Sequence, residues 1–232
     1  MEEINLELLE SNLNSIRERM QAACDRAGRK MDEVSLVAVS KGHSLEKIRT
    51  FTELGLEMFG ENKIQEALKK MTDAPRNVKW HMIGHLQTNK CKDAVNGFSL
   101  IHSVDSLHLA EELNRQADRF AKTQPVLIQV NIAGEASKYG FSPTALESEW
   151  DALLGLERLE IHGFMTMAPW TPEPEKTRPV FRKLKELQAV YEEQLGAPLS
   201  VLSMGMSGDF EVAIEEGATL VRVGSALIGA RK

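Results

Sequence analysis

Cysteine is scarce in this 232-residue sequence, which contains only Cys24 and Cys91. Two cysteines are too few for a disulfide framework, and they lack the CxxC spacing of a redox or zinc motif. We therefore expect reduced thiols in a cytoplasmic protein. Residues 1–5 are acidic and lack the basic and apolar blocks of a signal peptide. No run of about 18 apolar residues occurs, so we expect no membrane-spanning segment.

An excess of positive charge is also lacking. The chain has 28 Lys and Arg against 34 Asp and Glu, a net charge of -6, and no evident basic face. This balance argues against nucleic acid as a partner. With 42% hydrophobic and 27% charged residues, the chain can bury a full core as one domain or two small ones.

Strand-like and helix-like segments alternate along the chain. Apolar residues at steps of three and four predict an amphipathic helix over residues 1–28 that ends at Gly28. Eight strand-like segments follow, and each except the last precedes a plausible helix: 34–40, 56–59, 79–84, 100–103, 126–131, 161–165, 199–203 and 220–223. Eight βα units predict an α/β fold, a single-domain (β/α)8 TIM barrel over residues 1–232 with the extra N-terminal helix packed on it.

An open doubly wound sheet is the competing fold. Such a sheet would bind a nucleotide through a GxGxxG turn after its first strand. Here the corresponding residues are Ser40-Lys-Gly-His-Ser44. This difference favours the closed barrel, with its chemistry at the carboxyl ends of the strands.

Lys41 stands at the end of the first predicted strand. Burial lowers the pKa of a lysine, and the neutral amine can attack a carbonyl to form an imine. Taken alone, a lysine that reaches the surface beyond the strand end is the commoner case. Two turns rich in glycine and serine near the other end of the chain favour the interpretation of Lys41 as a nucleophile over that of a surface lysine.

These turns follow the last two predicted strands. Residues 203–208 lie between a strand and a helix predicted to begin at Asp209, and residues 223–226 repeat the pattern one strand later. In a TIM barrel, the loops after strands seven and eight are a common phosphate site, where backbone N–H groups and hydroxyls face the ligand. Either turn alone could equally be an ordinary helix cap.

A lysine nucleophile beside a phosphate site indicates either an aldolase-like phosphosugar enzyme or pyridoxal 5'-phosphate. Arg222 lies two residues before Gly224, where it could face the ring nitrogen of that cofactor. An arginine there keeps the nitrogen unprotonated and weakens the ring as an electron sink. The alternative is that Arg222 pairs with Glu215 or Glu216.

Six motifs then occur in order along nearly the whole chain: AVSKG at 38–42, FGEN at 59–62, HMIGHLQTNK at 81–90, GFMTM at 163–167, LSMGMS at 202–207 and RVGS at 222–225. Together they closely resemble the YggS/PROSC family of pyridoxal phosphate homeostasis proteins. The resemblance implies a barrel like the N-terminal domain of alanine racemase (fold type III). It also implies that pyridoxal 5'-phosphate is held on Lys41 as an internal aldimine.

The resemblance also implies a set of cofactor-binding residues: Lys41, Asn62, Ser203, Met204, Ser207, Arg222, Gly224 and Ser225. Of these, Ser207, Gly224 and Ser225 are expected to hold the phosphate, and Arg222 to approach the ring nitrogen. The family's role implies intracellular cofactor homeostasis and delivery to apo-enzymes, as a monomer and without substantial turnover. The chain departs from the family pattern at Gly42, His43 and residues 228–229, which leaves the shape of the pocket open.

A weak amino-acid racemase or another imine-forming lyase is the second hypothesis, and a protein-interaction module is the third. A racemase needs a second base opposite the cofactor. The chain has two tyrosines, Tyr139 and Tyr191, and we expect neither to supply that base. His81 and His85 have the spacing of a metal pair, but without an HExxH motif we expect no metal.

Two further features carry hypotheses of their own. We interpret Lys138 as a solvated charge that could accept the aldehyde transiently during cofactor release. Four of the eight prolines lie within residues 169–179. That loop is either a stiff lid over the cofactor or an extended surface connection, and we favour the second.

Overall fold

Eight parallel strands form a closed barrel in which each strand pairs with the next and the last pairs with the first. The computed structural model describes residues 5–135 and 138–229. The strands are β1 Ser35–Val39, β2 Met58–Glu61, β3 Lys79–Met82, β4 Leu100–Val104, β5 Gln124–Gln129, β6 Leu159–Met165, β7 Val201–Met206 and β8 Leu220–Val223. The predicted TIM barrel is confirmed.

Helices surround the barrel: α1 Leu6–Arg26, α2 Leu45–Glu53, α3 Ile64–Met71, α4 Cys91–Gly97, α5 Leu107–Arg119, α6 Pro143–Leu154, α7 Arg178–Leu195, α8 Phe210–Glu215 and α9 Ser225–Ile228. The hydroxyls of Ser106 and Ser142 accept N–H bonds at the starts of α5 and α6, as N-caps do. The expectation that no helix follows the last strand is wrong, because α9 follows β8.

The core has two layers because the strands of a closed parallel barrel are covered on both faces. Inside the barrel, one cluster is formed by Val37, Leu100, Leu127, Met165 and Leu220. A much larger cluster lies between the sheet and the helices. Strand side chains therefore alternate between the barrel interior and the helical layer, and this alternation decides which of them reach the site.

Helix α1 packs in the outer helical layer against α2, α8 and α9. Its buried apolar stripe includes Leu9, Leu13, Ile16 and Met20. The Asn12 amide donates to the Leu227 carbonyl oxygen at 3.0 Å, and Arg19 pairs with Glu211 at 2.8 Å. The N-terminal helix thus supports the two helices that follow β7 and β8.

Both cysteines are free and buried. Burial raises the pKa of the Cys91 thiol to about 12 and also raises that of Cys24. Within the described ranges, no helix combines the length and the hydropathy needed to cross a bilayer.

Candidate functional site

A cavity of about 710 Å³ lies at the carboxyl ends of the strands. Its lining comes from the loops after β1, β2, β3, β6, β7 and β8, so residues far apart in sequence meet there. The residues that matter for the argument are Lys41, Asn62, Ser207, Asp209, Arg222, Gly224 and Ser225. Ile83 and residues 167–171 complete much of the wall.

Lys41 lies in a tight turn at the end of β1. The His43 N–H donates to the Ser40 carbonyl oxygen at 3.0 Å, and Gly42 has a φ of +74°. A positive φ at the third turn position favours glycine, which explains the residue next to the lysine. Strand alternation places Val37 inside the barrel, Lys41 in the cavity wall and Ser40 against the helical layer.

Arg222 lies on β8 at the floor of the cavity and is buried. One of its terminal nitrogens donates to the Ser203 hydroxyl, and the other donates to the Thr166 carbonyl oxygen at 3.0 Å. Burial lowers the pKa of Arg222 to about 10, so the guanidinium stays charged at pH 7.

The suggested pairing of Arg222 with Glu215 or Glu216 is wrong, and the acidic side chain that interacts with Arg222 is Asp209 in the cavity wall. Glu215 pairs with Arg178 at 2.6 Å, and Glu216 pairs with the same guanidinium at 3.0 Å. Both glutamates belong to the outer helical layer, whereas Arg222 faces the barrel interior. Its charge is therefore directed at the cavity.

A chain of hydrogen bonds leads from Arg222 across the barrel interior. The Ser203 Oγ lies 2.8 Å from Nδ1 of His102, and Nε2 of His102 lies 3.0 Å from Nδ1 of His81. A guanidinium only donates, so the Ser203 oxygen accepts from Arg222. The direction of the two bonds made by His102 follows from which of its ring nitrogens carries the proton.

Both imidazoles in this chain are neutral at pH 7. Burial lowers the pKa of His81 to about 4, and burial lowers that of His102 well below its usual value. His85, the other half of the suspected metal pair, is exposed and lies 2.9 Å from Asp105. Within residues 5–135 and 138–229, no group of three or more metal-ligating side chains is present.

The loops after β7 and β8 meet at the Ser207 hydroxyl. Its oxygen accepts from the backbone N–H groups of Gly224 at 3.2 Å and Ala226 at 3.5 Å. These N–H groups therefore converge on one oxygen, as a phosphate site requires. Gly205 in the same loop has a φ of +89°, and a Cβ there would lie 2.5 Å from that of Ala213. The loop is thus built tightly against α8.

Of the predicted cofactor-binding residues, most line the cavity: Lys41, Asn62, Ser207, Arg222, Gly224 and Ser225. Ser203 and Met204 are not among the described lining residues. Ser203 is fully buried and bonded to Arg222, whereas Met204 belongs to the outer core. The binding roles themselves stay predictions.

Several lining residues were not singled out by sequence reasoning. Asp209 is buried in the wall, where its carboxylate accepts from the Met206 N–H at 2.7 Å and burial raises its pKa. Strand alternation could have indicated Ile83, two residues after His81 on the inward face of β3. No local pattern indicated Trp170, which is 89% exposed at the cavity rim.

The structure also describes the surroundings of Lys138, Tyr139 and the proline-rich loop, which were interpreted separately above. Lys138 is only 22% exposed; its Nζ donates to the Ala168 carbonyl oxygen at 3.0 Å and pairs with Glu135 at 3.2 Å. It is therefore not a simple solvated charge. Tyr139 stacks on His85 with ring centroids 3.7 Å apart and does not belong to the described cavity lining. The proline-rich loop contributes Pro169 to the wall, so it is more than a surface connection.

Comparison with known proteins places this site in a family. Residues 4–232 match the family described as "Alanine racemase, N-terminal domain". A pyridoxal phosphate homeostasis protein of Aquifex aeolicus is 45% identical over 95% of this chain and 97% of its own. One from Pseudomonas aeruginosa is 41% identical over 95% of this chain and 94% of its own.

A solved structure agrees in sequence and in shape. PipY of Synechococcus elongatus, solved with pyridoxal phosphate bound, is 36% identical and superposes with a TM-score of 0.83. The match covers 95% of this chain and all of PipY. The chain therefore belongs to the pyridoxal phosphate homeostasis proteins, whose barrel is that of the alanine racemase N-terminal domain.

Proposed function

We propose that this chain binds pyridoxal 5'-phosphate covalently on Lys41 and buffers and delivers the intracellular cofactor without substantial turnover. One observation carries the proposal: an amine, a buried guanidinium and converging backbone N–H groups line the same cavity. The bound cofactor in PipY, a 36% identical relative, supports the choice of ligand.

The residues present fit the parts of that ligand. The Gly224 and Ala226 N–H groups with the Ser207 hydroxyl suit the phosphate, and the Arg222 guanidinium suits the ring nitrogen. When bound, the cofactor supplies an aldehyde carbon and a conjugated ring. The Lys41 Nζ uses its lone pair to bond that carbon, and the carbonyl oxygen leaves as water with the two amine protons.

Two features support storage rather than turnover. Arg222 keeps its own proton at pH 7, so it donates a hydrogen bond and leaves the ring nitrogen unprotonated, which limits electron withdrawal. Neither tyrosine, Tyr139 nor Tyr191, belongs to the described cavity lining, where a racemase would need its second base.

The proposed function is tested by mixing the loaded protein with an apo-enzyme that needs the cofactor. We expect the apo-enzyme to regain activity, while single enantiomers of amino acids keep their optical rotation in the presence of the loaded protein. Rapid loss of optical rotation would instead establish the racemase hypothesis.

Ser207→Ala is expected to weaken cofactor binding by about fivefold, because one hydroxyl bond to the phosphate is worth about 1 kcal/mol. Spectroscopic titration measures this change. Pyridoxal, which lacks the phosphate, is the control ligand and should bind the variant and the wild type equally. Equal losses of affinity for pyridoxal 5'-phosphate and for pyridoxal would refute the binding of the phosphate by Ser207.

Lys138→Ala is expected to slow cofactor transfer to an apo-enzyme by about threefold or more, because a second amine, bonded to the carbonyl oxygen of the lining residue Ala168, can accept the aldehyde. Its affinity for the cofactor should stay unchanged. Lys176→Ala is the matched control, since this lysine is 65% exposed and paired with Glu173 within the proline-rich loop over residues 169–179. Transfer at the wild-type rate in Lys138→Ala would show that Lys138 does not accept the aldehyde during transfer.

A further inference from the structure

A buried ionic cluster lies behind the sheet, on the side of β1 and β2 that faces α3. The Lys70 Nζ donates to the Glu61 carboxylate at 2.7 Å, to the Glu66 carboxylate at 2.7 Å and to the Ser40 carbonyl oxygen at 2.8 Å. The same Glu61 oxygen accepts from the Ser40 hydroxyl at 2.6 Å. We call Glu61, Glu66 and Lys70 the clamp.

Within the clamp, the Lys70 ammonium group has no spare hydrogen-bond donor. An ammonium group has three N–H donors, and all three of Lys70 have a partner. The Lys70 side chain is only 10% exposed, and that of Glu61 is fully buried. Burial raises the pKa of Glu61 despite its bond to Lys70. Buried ion pairs are costly to form and contribute little net stability, so stability alone does not explain this cluster.

What the clamp fixes is the turn that carries Lys41. Lys70 binds the carbonyl of the peptide group just before Lys41, through Ser40. The Glu66 carboxylate accepts the N–H of the peptide group just after it, through Gly42. Both peptide groups that flank the lysine are therefore held by side chains of one helix.

An ordinary helix pair does not account for this arrangement. Lys70 and Glu66 have the i,i+4 spacing of common surface pairs, which need only each other. Here both side chains also bond backbone atoms of another loop, 24 and 30 residues away in sequence. Burial raises the pKa of Glu66, but the bonds from Lys70 and from Gly42 outweigh it and hold the pKa below its usual value.

We propose that Glu66 and Lys70 are positioning residues that aim the Lys41 amine at the aldehyde of a phosphate-anchored cofactor. The inference rests on the proposed function. Formation of the carbon–nitrogen bond requires the amine to approach the carbon from one direction, so a small rotation of the turn slows the step. The hydrogen bonds between Ser207 and the N–H groups of Gly224 and Ala226 do not include the turn, so we expect phosphate binding to be little affected by it.

The test compares Glu66→Ala with Glu66→Gln in the full chain. Covalent bond formation with pyridoxal 5'-phosphate is followed by absorbance, and binding of pyridoxine 5'-phosphate, which has no aldehyde, is measured separately. We expect Glu66→Ala to slow bond formation roughly tenfold while its pyridoxine 5'-phosphate affinity stays within about twofold. Glu66→Gln keeps an acceptor oxygen for Gly42 and should restore most of the rate.

Lys70→Met should resemble Glu66→Ala, and Lys69→Met, at an exposed position of the same helix, is its matched control. The inference is overturned if Glu66→Ala reacts at the wild-type rate, if Glu66→Gln is as slow as Glu66→Ala, or if both ligands lose affinity in parallel. Failure of the wild type itself to form the bond would instead refute the proposed function.

Discussion

Lys41→Ala is expected to abolish the absorbance at about 420 nm that the wild-type protein gains with pyridoxal 5'-phosphate. The absorbance reports a carbon–nitrogen double bond conjugated with the ring, and alanine has no amine to form it. Lys41 is half-buried in the cavity wall, so its truncation removes no core packing. The melting temperature should therefore stay close to that of the wild type.

Lys79→Ala is the matched control for this experiment, because Lys79 begins β3 at the opposite end of the barrel and its side chain is 60% exposed. The control variant should keep the full absorbance. An undiminished absorbance band at about 420 nm in Lys41→Ala would show that another amine holds the cofactor.

Arg222→Met is expected to weaken pyridoxal 5'-phosphate binding by about 30- to 150-fold, because a buried charge-assisted hydrogen bond is worth about 2 to 3 kcal/mol. The substitution also leaves the Ser203 hydroxyl and the Thr166 carbonyl oxygen without their donor. We therefore expect the free energy of unfolding to fall by about 1 to 3 kcal/mol as well.

Ser203→Ala separates these two effects of Arg222. It removes the bond that holds the guanidinium but leaves the charge in the cavity, so its affinity should fall less than that of Arg222→Met. Cofactor titration by absorbance and urea unfolding supply the two measurements. Wild-type affinity in Arg222→Met would contradict the assignment of this residue to the ring nitrogen.

Local sequence patterns were sufficient for most of the fold. The sequence predicts a helix over residues 64–71 and a strand over residues 220–223. These are the bounds of α3 and β8, because apolar periodicity and flanking turns mark both ends. The short α9 was missed because four residues cannot show a helical period. The sequence also predicts one helix over residues 87–95, whereas the structure has a 3-10 turn over Thr88–Lys90 followed by α4.

The site was predictable only in part, for a physical reason. A barrel brings the carboxyl ends of all its strands together, so Lys41 and the loops after β7 and β8 could be placed in one cavity from sequence order alone. The depth of a side chain within the barrel depends on strand stagger, which local sequence does not encode. Ser203 was therefore expected in the cavity, although it lies beneath Arg222.

Sequence patterns also did not predict the contacts between segments that are distant in sequence. The bond from Lys70 to the Ser40 carbonyl crosses 30 residues, and the bond from Ser203 to His102 crosses 101. In sequence, Lys70 is one of two adjacent lysines on an amphipathic helix, and nothing distinguishes it from its exposed neighbour. Only the packing of α3 against β1 and β2 shows its role.

The proposed covalent bond between the Lys41 amine and the cofactor can be identified chemically. The loaded protein is reduced with borohydride, and the modified residue is located by peptide mass mapping. We expect the reduced cofactor to be attached to Lys41. Attachment to Lys138 with Lys41 unmodified, or no attachment at all, would contradict the proposal.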